Sequence, residues 1–205
     1  VLSIMTVAVV LATTAWAQDF SLSAGGGGLL VGDFTGGVKS GGEKMTTPYF
    51  GGGGFAYFDA TYAEVSVGFF VGGGDMKGGG SDKPWTLSAL KLGLLGKYPI
   101  ALSDALTLFP ALGIEYDVVL SAKIDGTKVD DVDGMDMKSG DFSALWIKAG
   151  AGLDVQLTEK LYFRGEALFG IRLSNKFEKD MIDDKGADAV LGLGPTVKLG
   201  VGYKF

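Results

Sequence analysis

The sequence predicts an all-β fold: a single eight-stranded antiparallel up-and-down transmembrane β-barrel. Three observations carry this. Eight segments alternate apolar with polar or small residues at period two, and several run longer than an ordinary strand of ~5–6 residues. The connections between segments alternate short and long, the pattern of barrels with tight turns at one end and loops at the other. Glycine supplies 35 of 205 residues, more than twice the usual ~7%, in a chain that is 47% hydrophobic with only five Pro. Neither disorder nor a collagen repeat accounts for that glycine.

Taken in order, Leu2 to Ala17 is uncharged, Ile4 to Ala12 is apolar apart from Thr6, and Ala15-Trp16-Ala17 is a small-x-small pattern. Residues 1–17 are therefore expected to be a secretory signal peptide, truncated at its N-terminus because a basic stretch and an initiator Met are missing. The run is shorter than the ~20 apolar residues of a comfortable span, which sets the alternative, a retained apolar anchor, at a disadvantage. The barrel domain is expected over 18–205.

The first segment is Phe20–Phe34 and the second Pro48–Phe58, each carrying four consecutive glycines, Gly25–Gly28 and Gly51–Gly54. In the third, Ala63, Val65, Val67, Phe69 and Val71 oppose Glu64, Ser66, Gly68, Phe70 and Gly72. The fourth, Trp85–Tyr98, sets Leu90, Leu92 and Leu94 against Ala89, Lys91, Gly93 and Lys97. The fifth sets Leu106, Leu108, Pro110, Leu112, Ile114, Tyr116 and Val118 against Thr107, Phe109, Ala111, Gly113, Glu115 and Asp117. Leu145–Gln156 and Tyr162–Leu173 repeat the split, and the eighth segment sustains it from Leu191 to Phe205. Short links fall at Asp59-Ala60, Ile100–Ala105 and Thr158–Lys160; long polar ones at Thr35–Thr47, Gly73–Lys83, Ala122–Asp141 and Asn175–Asp188.

Alternation alone does not say which face is outside, and a soluble calyx would bury the apolar set. Lipid is favoured because the apolar set carries almost no charge. Phe20, Phe34, Tyr49, Tyr57, Tyr98, Tyr116, Phe163 and Tyr203 lie near its segment ends, where interfacial girdles form. The polar set is too rich in Gly, Ala and Ser for a solvated surface and suits a narrow lumen.

The signal segment, the eight strands, the long loops and the ending Val197-x-Leu199-x-Val201-x-Tyr203-x-Phe205 resemble small bacterial outer-membrane barrels of the OmpA, OmpX and OmpW type. The resemblance implies location in the bacterial outer membrane, surrounding outer-membrane lipid, and Tyr203 and Phe205 as a signal read by the outer-membrane assembly machinery.

Composition removes most chemistry. The chain has no Cys and no His, so disulfides, thiolate metal sites, Cys nucleophiles and the commonest general base are absent. A net charge of −6 without a basic cluster argues against nucleic acid as a partner. The lipid-modifying barrels that the resemblance brings in use a catalytic His beside Ser, so no enzyme is expected, and no catalytic, cofactor or metal residues are assigned. The glycine runs lack the Gly-Lys-Ser/Thr and following helix of a phosphate loop, and packing explains them better. The third long loop holds six Asp and three Lys, but two positions of the calcium-loop pattern fall on Val129 and Gly140. It reads first as a solvated acidic loop, with weak cation binding as the alternative.

Inward charges are Glu64, Glu115, Asp117, Asp154 and Glu166 with Lys91, Lys97, Lys148, Arg164, Arg172, Lys198 and Lys204. Unpaired they would be costly, so Glu64, Lys91, Glu115, Lys148, Asp154, Arg164, Glu166 and Lys198 are expected to form a network, either a structural plug or an ion path. Toward the long loops the inward positions turn apolar: Leu29, Val31, Phe50, Phe70, Leu87, Val119, Phe142, Trp146, Leu168 and Val190. These read either as a small core under the loops or as a pocket for small hydrophobic solutes. In the latter case the resemblance to the OmpW group implies sideways release into the membrane, with Pro110 and Pro195 as the candidate exit. The competing function is a non-conducting surface protein whose loops contact host or envelope ligands.

Overall fold

The computed structural model describes residues 21–35, 38–40, 43–45, 48–76, 83–131, 138–173 and 192–205. The signal segment, Phe20 and Val190 lie outside the described residues. Eight long strands form: β1 Leu22–Thr35, β2 Tyr49–Ala60, β3 Ala63–Met76, β4 Lys83–Lys97, β5 Leu106–Ile124, β6 Ala144–Gln156, β7 Leu161–Arg172 and β8 Gly192–Lys204. Each pairs antiparallel with its neighbours in sequence, and β1 closes on β8 with Gly27 opposite Gly200. No described helix is long and apolar enough to cross a membrane.

The faces follow the period-two pattern. On β3, Val65, Val67, Phe69 and Val71 are 45–56% exposed, while Glu64, Ser66 and Phe70 between them are buried. Charged side chains inside and large aliphatic ones outside are the reverse of a soluble calyx, and the exterior requires hydrocarbon. Inside, glycines stand where large side chains need room. A Cβ on Gly25 would strike the Tyr57 ring, on Gly152 the Phe109 ring, on Gly170 the Lys148 stem, and on Gly202 the Tyr162 ring.

Three elements exceed the sequence expectation, the first being a short antiparallel pair, Val38–Ser40 with Glu43–Met45, in the link between β1 and β2. The link after β4 contains a short strand, Ile100–Ser103, paired with the start of β5. Strand β5 continues past Val118, through a register shift opposite Ser88–Ala89, to Ile124. A two-residue Asp125-Gly126 turn at positive φ (53° and 80°) then folds Thr127–Lys128 back on it. The third long loop thus begins as an ordered hairpin.

Candidate functional site

The lumen is filled by one connected set of ion pairs in its middle and lower parts. Arg164, from β7, reaches across the barrel. Its Nε and Nη2 donate to Asp154 at 2.7 and 2.6 Å, and its Nη1 donates to Asp59 at 2.5 Å and Glu64 at 2.7 Å. Lys97 also pairs with Asp59. Above this, Lys198 lies 3.2 Å from Glu115, 3.5 Å from Glu166 and 3.9 Å from Glu64. Lys91 joins Glu115 (3.5 Å) to Asp117 (2.6 Å), whose other oxygen accepts the Trp146 indole N–H at 2.9 Å. Lys148 is held by neutral acceptors, the Gly194 carbonyl (3.0 Å) and the Thr196 hydroxyl (3.1 Å), and lies 4.2 Å from the Trp146 ring centre. At the short-turn end the lumen opens into a polar vestibule of about 320 Å³ bordered by Ser23, Asp59, Asp154, Arg164 and Lys204.

Asp33 and Asp59 belong to this interior, although neither stands among the expected inward charges. Asp33 accepts from Arg172 at 2.8 Å. Both were legible: Asp33 shares parity with Leu29 and Val31, and an inward Asp59 would have fixed the facing of β2.

A continuous apolar cluster runs from the mouth down beside the charges: Leu29, Val31, Tyr49, Phe70, Trp85, Leu87, Ala89, Val119, Ala122 and Val129, with Ile124 and Phe142 packed against it, continued below by Phe55, Tyr57 and Tyr162. Leu29, Phe70, Leu87 and Val119 thus meet in the upper lumen. Three expected members do not join them. Phe50 is on the outer face, 59% exposed and edge-on to Phe34 at 5.1 Å, because β2 turns Tyr49, Phe55, Tyr57 and Asp59 inward. Tyr49 and Tyr57 are correspondingly buried and form no girdle, whereas Phe34, Tyr116, Phe163 and Tyr203 do face outward. Leu168 packs lower, with Leu95, Phe109 and Ala111. Trp146 is buried but sits at the top of the ion pairs, with Lys91 and Arg172 also within 6.0 Å of its ring centre.

The third long loop caps the mouth. Ser139 and Ser143 accept the N–H groups of Ala122 (3.1 Å) and Val119 (3.0 Å), which lie on either side of the β5 irregularity at Leu120. Asp130 in turn accepts the Ser139 N–H at 3.1 Å and the Ser139 hydroxyl, which hold its carboxyl below the usual value. No group of three or more potential metal ligands occurs among the described residues.

The two strand prolines differ. Pro110 stands opposite Ala151 in an unbroken β5–β6 ladder, and its carbonyl accepts the Tyr98 N–H at 3.1 Å where β4 leaves β5. It opens nothing. Pro195 coincides with a gap. The β1–β8 ladder pairs Val31 with Thr196 and then Phe34 with Leu193, leaving Gly32–Pro195 and Asp33–Gly194 out. The Gly194 carbonyl is the one taken by Lys148. Tyr203 and Phe205 both face outward, their ring centres 5.8 Å apart.

A closed eight-stranded barrel with a charged interior and an apolar exterior has the architecture of a transmembrane β-barrel. No protein-family model matches the chain, and no curated protein sequence does. Among solved structures it is similar to the outer membrane protein OprG from Pseudomonas aeruginosa, at 15% identity and TM-score 0.52, covering 92% of this chain and 97% of that one. It also matches Neisserial surface protein A, at 10% identity and TM-score 0.49 over 92% and 100%, and Ail of Yersinia pestis, at 16% identity and TM-score 0.37 over 90% and 99%. At these identities the likeness is one of fold, and it rests on the first of the three.

Proposed function

We propose that this barrel takes small apolar molecules into its upper lumen and releases them sideways into the membrane at the β1–β8 seam. The observation that carries the reading is the break at Gly32–Asp33 and Gly194–Pro195. It lies in the loop-side half, at the level of the Asp33–Arg172 pair and of Lys148, beside Trp146 on the inside and Phe50 on the outside. Passage down the axis is opposed by the ion pairs from Lys91 to Arg164, so the wall is the lower-energy route. Entry requires Val129 and Phe142 to move from the mouth. In the same reading the exposed Tyr203 and Phe205 form the assembly signal.

The test uses the absence of native cysteine. Gly32→Cys with Pro195→Cys, oxidised in reconstituted vesicles, should stop uptake of an apolar fluorescent probe, and reduction should restore it. Pro195→Ala, which returns an N–H to the seam, should slow uptake without unfolding the barrel. Uptake unchanged by the oxidised pair would overturn the lateral route. The second reading, a surface protein acting through its loops, is favoured by the described parts of the third loop, 122–131 and 138–141, which expose Asp130, Asp131 and Lys138. Replacing residues 130–138 by a short Gly-Ser link should then abolish adhesion and leave uptake intact.

A further inference from the structure

The outer surface of the extended β4–β5 wing carries a feature that the lumen does not explain. Lys123 in β5 stands directly opposite Lys128 in the returning strand, on the same face as its other neighbour, Thr86 of β4. All three side chains are exposed. Like charges directly opposed across a ladder are unfavourable. The pair is nevertheless built firmly: the Asp125-Gly126 turn sets it, and the Asp125 N–H is tied to the Pro84 carbonyl at 2.8 Å. Among the described residues no carboxylate lies within 4.0 Å of either ammonium, whereas Lys91, Lys97, Arg164 and Lys198 are all ion-paired.

Position supplies the missing partner. Leu120, 51% exposed, is the last apolar residue on the outer face of β5, three residues before Lys123. At ~3.3 Å per residue and a tilt of about 40°, three residues raise Lys123 roughly 8 Å above the hydrocarbon edge, into the headgroup layer. Two ammonium groups and a hydroxyl held there on the lipid side, in a chain of net charge −6, fit an anion that the membrane itself presents.

We propose that Lys123 and Lys128 form a binding site for the phosphate headgroup of an outer-leaflet lipid, with Thr86 as an added hydrogen-bond donor. The bound phosphate relieves the repulsion between the lysines, so lipid and hairpin stabilise each other. The site lies outside the barrel and does not depend on how the lumen works.

The experiment titrates the full-length folded protein in neutral detergent with lipid A, with its enzymatically dephosphorylated form, and with inorganic phosphate, following bound lipid by native mass spectrometry. Lys123→Ala with Lys128→Ala should weaken binding of the phosphorylated lipid roughly thirtyfold, at the strength usual for two lysines near an anionic surface, and leave the dephosphorylated lipid unchanged. Lys123→Arg with Lys128→Arg should retain binding. In detergent alone the double alanine variant should unfold at the same or higher urea concentration than the parent, and in phosphorylated lipid at a lower one, a reversal that a purely structural role would not give. Equal affinity of parent and double alanine variant for the phosphorylated lipid would overturn the proposal. Displacement of that lipid by millimolar inorganic phosphate would overturn the lipid assignment in favour of a free-phosphate site.

Discussion

Replacing Arg164 by Met tests whether the interior charges hold the barrel together. The guanidinium makes four hydrogen bonds to three carboxylates, Asp154, Asp59 and Glu64, and its carbon lies 4.7 to 5.2 Å from the ring centres of Tyr57, Phe109 and Tyr162. Met preserves much of the packing against those rings, so the loss is chiefly electrostatic. Breaking a buried pair by removing one partner costs about 3–5 kcal/mol, and serving three acids puts Arg164→Met toward the upper end. Against a total stability of about 5–15 kcal/mol that is a third or more. Urea unfolding of the barrel in lipid vesicles, followed by tryptophan fluorescence and by mobility on unboiled gels, reads it directly.

The cause is separable from packing. Adding Asp154→Asn and Glu64→Gln to Arg164→Met removes the stranded negative charges and should recover at least half of the loss. Arg164→Lys should fall between, because one ammonium cannot reproduce the planar fork that holds both oxygens of Asp154. A loss below about 1 kcal/mol for Arg164→Met, or a triple variant no more stable than the single one, would refute the argument that paired charge holds the lumen.

Three further outcomes follow from other parts of the wall and mouth. Leu199→Arg, on the lipid face in mid-strand, should cost about 2–4 kcal/mol in the same assay, and tolerance of that charge would refute the facing of β8. Neighbouring glycines should part ways. Gly27→Ala drives a Cβ into the Leu199 carbonyl and should cost about 1–3 kcal/mol, whereas a Cβ on Gly28 meets nothing within 4 Å, so Gly28→Ala should be neutral or stabilising. In the third loop, the Ser139 hydrogen bonds depress the Asp130 carboxyl, so their stabilisation is present above the unfolded-state value of about 3.9 and fades as pH falls through the lower folded value. The protection factor of the Ser139 amide, exchange relative to the intrinsic rate at each pH, should therefore fall at acid pH, and Asp130→Asn should remove that dependence.

How much could be read from the sequence depended on what each segment offered to fix its facing. On β3, β5, β7 and β8, charges stand in line with small residues and aliphatics with aliphatics, so strand and face were both legible. On β2, Gly51–Gly54 carry no preference, and Tyr49 beside Phe50 fits either facing. Assigning Phe50 inward instead of Tyr49 inverted the strand, and only Asp59, set aside as part of a turn, held the answer. Leu168 was placed on the right face at the wrong height, because parity says nothing about where tilted strands meet along the axis. The Asp125-Gly126 hairpin was visible as a two-residue turn signal but was hidden inside a loop taken as wholly polar. Pro110 and Pro195 look alike in sequence. They differ because the missing N–H of the first faces the side where β4 leaves the ladder, and the second coincides with a gap in the seam.

The glycine content and the interior charge are two sides of one requirement. Eight strands enclose a lumen just wide enough for side chains to fill. Arg164, Lys148, Lys198 and the rings of Phe55, Tyr57, Phe109 and Tyr162 can cross it only if the facing wall gives up its own side chains. Gly25, Gly152, Gly170, Gly200 and Gly202 are where it does so. Among the described residues the interior acids Asp33, Asp59, Glu64, Glu115, Asp117, Asp154 and Glu166 are matched in number by Lys91, Lys97, Lys148, Arg164, Arg172, Lys198 and Lys204, so their formal charges cancel although the chain carries −6. Half of that excess, net −3, belongs to the third long loop. Lys123 and Lys128 stand beside acids of that loop, Asp125 in the turn that joins them and Asp130 in electrostatic contact with Lys128, so the proposed headgroup site must outweigh those neighbours to hold a phosphate.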